Sequence, residues 1–276
     1  MSVRSPDRGA AGGARLSCRI LPRMLRDAFD YATYWSLLSG LAATHRIVRF
    51  ADLRGGEPGA PFCILRHDVD YSPAAALRLA EQEAARGVRA TYFLLAGTNY
   101  YNLLAPEHAH VARELVALGH EVGLHYDVRS FLPYPRHEWP RLLRAQATLL
   151  GELAGQPVTS MAMHQPALHG DDPFRGEDHG FLNAYDDRFT RAMTYVSDSC
   201  RAWRNREWAM LTSGALPPRL HLCLHPINWS ERDRDRDTIF REVHDELMAA
   251  TASARDELLA KIACHSGVVE HEARSR

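Results

Sequence analysis

The chain of 276 residues is almost without lysine: Lys261 stands alone, and arginine supplies the rest of the 33 basic residues. Basic and acidic side chains nearly cancel, 33 against 34, for a formal net charge of -1. So balanced a chain offers no bulk field for nucleic acid or for an anionic bilayer, and neither is expected as a partner. Cysteine is sparse as well. Cys18, Cys63, Cys200, Cys223 and Cys264 lie far apart and form no C-x-x-C pair. That spacing suits reduced thiols in a cytoplasmic protein better than a disulfide framework or a cysteine zinc site. No run approaches the ~18 apolar residues that cross a bilayer. The opening "MSVRSPDRGAAGGARLSC" has no apolar h-region, so no secretory signal is expected there and the chain is read as cytoplasmic. No internal repeat is evident.

What is present is an ordinary globular composition, 46% hydrophobic and 24% charged, with histidine unusually frequent at 15. Residues 1–20 read as a disordered tail, followed by one domain over 21–276 with its core at about 60–230. Residues 26–45 carry Phe29, Tyr31, Trp35, Leu38 and Leu41 at roughly helical spacing. The run "FCILRHDVD" reads as a buried strand. Ser72 and Pro73 then give an N-cap and an N1 proline for a helix that Gly87 stops. "VRATYFLL" is a second strand, "PEHAHVARELVAL" a helix stopped by Gly119, and "HEVGLHY" a third strand. "EWPRLLRAQATLLGELAG" and "VTSMAMH" repeat the alternation. Strands "AMTYVSDS" and "RLHLCLH" follow, then a charged helix from about Ser230 to Ala263, with "ERDRDRD" as its solvated start. About six units of strand and helix predict parallel strands with right-handed crossovers, hence an α/β fold with a single distorted (β/α) barrel.

Polar residues gather where these strands end: "HDVD", "LHYD", "MHQP", "SDS" and "LHPINW". In a barrel of parallel strands those ends share one rim, and the rim is where an active site is built. A D-x-D pair at a strand end, Asp68 and Asp70, brings two carboxylates near one metal, one to ligate and one to take a proton. His120 is different. It follows a helix stop and begins a strand, away from that rim.

The order and spacing of these motifs resemble the NodB-homology polysaccharide deacetylases, and most closely a divergent branch in which "RHDVD" stands for "TFDDG". The resemblance runs from about Phe62 to Trp229 and includes "GVRATYFLL" and "LGHEVGLHYD". It implies a metal-dependent amide hydrolase that removes the acetyl group from an N-acetylated sugar or glycoside. Asp68 then resembles the general base, Asp70 and His125 metal ligands, and His225 the histidine that protonates the leaving amine. Asp198, Ser199 and Trp203 resemble the segment that orients this histidine and lines the pocket, and Tyr126 is taken with them as a substrate contact. The sequence departs from the family at Arg129, where a second ligand histidine is usual, and arginine does not ligate metals. His164 is the chosen replacement and Asp127 its competitor. A mixed Asp/His set suits zinc.

Two other readings compete. A haloacid-dehalogenase-type phosphatase also ends a strand in D-x-D, but it needs a lysine at its site, and Lys261 lies in the C-terminal helix. A barrel that lost a ligand at Arg129 would survive only as a carbohydrate-binding protein. Tyr100, Tyr101 and Asn102 are read as a loop that either contacts sugar or packs, and "RGEDHG" around His179 as a candidate flap over the substrate.

Overall fold

The computed structural model describes residues 28–203 and 205–274; the tail expected over 1–20 lies outside them. Helix α1 (Tyr31–Ala42) is capped by the Asp30 carboxylate, which accepts from Thr33 N–H. Strands β1 (Arg46–Val48) and β2 (Phe62–Val69) follow, then α2 (Pro73–Ala85), β3 (Thr91–Leu95), α3 (Val111–Ala117), β4 (Glu121–Tyr126), α4 (Trp139–Ala154) and β5 (Ser160–Met163). The second half runs through α5 (Pro166–His169), β6 (Leu182–Asn183), α6 (Asp187–Thr190), β7 (Thr194–Ser197), α7 (Asn205–Ser213), β8 (Arg219–Leu224) and α8 (Arg236–Arg274). Ser72 caps α2 through its hydroxyl, with Pro73 in the first turn. Gly87 and Gly119, at φ +74° and +89°, take the left-handed turns that end α2 and α3.

Every strand pairing is parallel, in the order β6-β5-β4-β3-β2-β8-β7, with β1 also on β2. The sheet begins at β6 and ends at β7, so the expected barrel is a half-barrel left open between those strands. β1 lies along Phe62–Ile64 and β3 along Arg66–Val69, so two strands share one edge of β2 in tandem.

Period two along each strand divides the core. On β2, Phe62 and Ile64 turn inward to Phe50, Phe93 and Phe189. Cys63, Leu65 and Val69 turn outward into the larger core with α1, α2 and α4. Strands buried on both faces read as continuous apolar runs, which is why β2 to β5 and β8 were visible in the sequence.

The differences from the sequence reading lie where this signal is short or ambiguous. β1 and β6 are too brief to show a period. Helix α3 starts only at Val111, because the residues ahead of it form turns. The C-terminal helix starts at Arg236, not Ser230. Residues 231–235 are instead a tether: Asp233 accepts from Phe29 N–H at 3.0 Å and pairs with Arg201, and Asp235 accepts from Thr238 N–H.

Candidate metal centre and active site

The same period of two aims the polar residues. Arg66, Asp68 and Asp70 share the inward parity of β2, His125 that of β4, His164 that of β5, and Cys223 and His225 that of β8. Register brings their ends level, since Leu95 pairs with His125 and His125 with Ala162. The result is a cleft of about 590 Å³ on one rim, with Asp68, Asp70, His125, His164 and His225 among its lining residues.

At its floor three atoms form a triangle. Asp70 Oδ1 is 3.2 Å from His125 Nε2 and 3.2 Å from His164 Nδ1, and the two nitrogens are 3.2 Å apart. His125 Nδ1 sits 2.9 Å from the Ala162 carbonyl, which only accepts, so Nδ1 carries the proton and Nε2 presents its lone pair. Asp70 Oδ1 is buried and receives no hydrogen bond. A tetrahedron built on metal bonds of about 2.0–2.1 Å has an edge of about 3.3 Å. The triangle therefore fits one face of such a site, with nitrogen and oxygen donors that zinc accepts. Burial alone would raise the Asp70 carboxyl, but the two imidazoles and His225 hold it well below the usual carboxylate range.

Asp68 stands beside the triangle, its Oδ2 3.9 Å from His125 Nε2. Arg66 grips both its oxygens at 2.7 Å. The guanidinium is fully buried, lies over the rings of Tyr185 and Phe93 at 4.7 and 5.2 Å, and donates to Tyr185 Oη at 2.9 Å. Against the upward push of burial, Arg66 foremost holds the Asp68 carboxyl far down, so it is ionised at neutral pH.

His225 faces the triangle from the other side, Nε2 3.9 Å from Asp70 Oδ2. Its Nδ1–H donates to Asp198 at 2.6 Å, and its backbone N–H also points at that carboxylate. Trp229 Nε1 donates to Asp198 at 2.9 Å, which fixes the buried anion from behind. Burial would lower the imidazole, but Asp198, with Asp70 and Asp68, outweighs it and raises His225 to about 10.

Other expected residues are placed differently. Ser199 lines the cleft. Tyr126 does not: one residue out of phase with His125, it points outward, and its hydroxyl donates to buried Asp172. Trp203 is also off the cleft wall, stacked on Phe29 at 5.8 Å and beside Trp229 at 6.4 Å. Asp127 is held by Arg129, which donates from its backbone and guanidinium, so Arg129 closes off the competitor instead of the metal position. His120 is buried near the strand starts, between Ala90 N–H and the Ala80 carbonyl. Tyr101 packs: its hydroxyl bridges Leu95 N–H and the Val69 carbonyl. His179 pairs with Glu177 and stands edge-on to Phe174 at 5.1 Å.

Sequence reasoning missed Tyr185, Cys223 and the start of α8 as cleft residues, and Arg66 as the buried partner of Asp68. Arg66 was findable, because R-x-D-x-D puts three charges on one strand face. Tyr185 was not, since it meets Arg66 across 119 residues of chain.

No protein-family model matches the chain, and no curated protein does. Solved structures do match. Its structural neighbours are carbohydrate esterase family 4 proteins. A family 4 pseudoenzyme from Bacillus anthracis is 17% identical over 69% of this chain and 63% of its own, with a TM-score of 0.42. A polysaccharide deacetylase from Bacillus cereus is 15% identical over 63% of this chain and 92% of its own, at 0.43. A family 4 carbohydrate esterase from Streptomyces lividans, solved with acetate, is 14% identical over 60% and 79%, at 0.40. The chain spans just under two thirds of the length of that pseudoenzyme.

Proposed function

We propose that this protein hydrolyses the amide bond of an N-acetylated sugar or sugar-containing precursor, using a divalent ion, zinc by preference, held by Asp70, His125 and His164. One observation carries the reading. Three donor atoms 3.2 Å apart stand between a carboxylate kept ionised and an imidazole kept protonated. A bound divalent ion would polarise the acyl oxygen and make a nearby water acidic.

The remaining chemistry belongs to the chain's own side chains. Asp68 takes the proton from the attacking water. Its grip by Arg66 makes it a weak base, so it works by fixed position and against an acidified water. His225 holds a proton on Nε2 while Asp198 fixes its ring through Nδ1. It gives that proton to the departing nitrogen as the carbon–nitrogen bond breaks. Hydroxide is thus added to the acyl carbon and a proton to nitrogen, and acetate and an amine leave.

Metal analysis of the purified protein, with amine release from N-acetylated glycosides and nucleotide sugars, tests the reading. One divalent ion per chain and metal-dependent amine release are expected. A protein that takes up no ion and releases no amine would instead be a carbohydrate-binding barrel.

A further inference from the structure

The acidic and histidine side chains of the cleft gather at its floor, and Gln165, Ser199, Arg201, Asn228 and Arg236 add polar groups elsewhere in its lining, but one stretch of wall is apolar. That stretch includes Tyr71, Leu168, Ile227, Ile239 and Phe240. Three of these follow a site residue closely: Tyr71 follows Asp70, Leu168 stands four residues after His164, and Ile227 two after His225. Ile239 and Phe240 come from the first turns of α8. The Tyr71 ring meets Phe240 edge-on at 5.2 Å and Tyr100 edge-on at 4.7 Å, forming one continuous ridge. At the mouth Leu168 is 73% exposed and Phe240 41% exposed.

Large apolar side chains held in water beside a charged centre mark a surface awaiting an apolar ligand. A second sugar ring fits this wall poorly. Its hydroxyls would face leucine and isoleucine, and a polar group buried without a partner is costly.

We infer that the substrate is amphiphilic, a sugar joined to an aliphatic chain, with the sugar at the polar floor and the chain along the wall from Tyr71 to Phe240 and Leu168. The inference rests on the function proposed above for its sugar end, and on this wall for its chain. Each methylene buried there tightens binding roughly three- to fourfold.

Binding separates the two claims. Methyl and octyl β-glucosides have no amide to cleave, and calorimetry on the intact protein below the micelle concentration reads affinity without turnover. The octyl glucoside should bind at least about tenfold tighter, as burial of two methylenes already provides. Leu168→Ser and Phe240→Ser, both at exposed positions, should each cut the octyl-to-methyl ratio by about threefold or more. A geranyl glucoside that outbinds the octyl one assigns a branched prenyl chain, and the reverse assigns a straight acyl or alkyl chain. Equal affinity for methyl and octyl, or a gain for a disaccharide in place of octyl, overturns the inference. Chain-dependent binding without amine release from the matching N-acetylglucosaminides overturns the proposed function and leaves this inference standing.

Discussion

Strand β2 carries a buried polar cluster on each face, and the two differ at their carboxylates. Outward, His67 meets Glu83 of α2 at 2.9 Å, and the same carboxylate accepts from Tyr92 at 2.6 Å and from Tyr34. Burial would raise Glu83, yet His67, with His120 and the Tyr34 hydroxyl, keeps it lowered and ionised. Inward, Asp70 has a buried oxygen with no hydrogen bond, 3.2 Å from a nitrogen of His125 and of His164. A buried group satisfied by its own neighbours is structural, because nothing from outside improves it. A buried carboxylate oxygen left short keeps a lone pair that a ligand from outside can take up. That contrast explains why adjacent residues of "RHDVD" divide between scaffold and site.

The comparison breaks most sharply at Asp70. Asp70→Ala should abolish stoichiometric zinc uptake, and turnover with it. The metal-free protein should lose only the ordinary cost of one substitution, about 0.5–3 kcal/mol, as the contacts of the carboxylate with His125, His164 and His225 go. Equilibrium dialysis and denaturant titration read the two halves separately.

Asp68→Asn should keep the ion and lose roughly 10²–10⁴ in turnover, the usual share of a general base. It also strands a buried guanidinium, so stability should drop by about 3–5 kcal/mol. Adding Arg66→Met should restore stability and leave turnover low. If stability returned together with activity, Asp68 would be a scaffold residue.

On the outward face, Glu83→Ala leaves three donors without an acceptor. A loss of about 3–5 kcal/mol in unfolding free energy is expected, with zinc content unchanged. Loss of the ion at unchanged stability would reverse the assignment of the two faces.

The smallest effects are in pH. His221 and His225 share the inward face of β8 and shift oppositely. His225, raised to about 10, adds stability that is full below its unfolded value near 6.5 and fades as pH rises through 10. Burial, helped by Arg66, lowers His221 to about 3. Its contribution is therefore present above pH 6.5 and is lost as pH falls from there toward 3. His221→Phe, beside Phe50, should flatten the acid side of the stability profile by at most about 1.4 kcal/mol per pH unit. Asp198→Asn should bring the alkaline limb of kcat/KM to lower pH.

Much of this was legible because buried strands announce themselves. Five strand ends bearing Asp or His pointed to one rim, and the rim carries the cleft. Parity was the stronger guide where it was applied: counting from His125 excludes Tyr126, and counting from Asp68 includes Arg66. Trp203 resembles a pocket residue by its place in the sequence, yet an aromatic cluster with Phe29 and Trp229 claims it. Contacts across long stretches of chain, such as Phe240 on Tyr71, leave no trace in local spacing.

Helix α8 has its last described buried residue at Val243, and beyond it stands Lys261, its side chain 71% exposed and paired with Glu257 on the same helix. Eighteen residues of helix separate the two, about 27 Å at 1.5 Å per residue. Amine-directed coupling therefore reaches a single side chain, besides the terminal amine, at a point well removed from the barrel. The protein can be tethered to a bead or sensor by that side chain with its cleft left open to solution. For the same reason, colorimetric amine reagents used to test for amine release would meet almost no background from the protein itself.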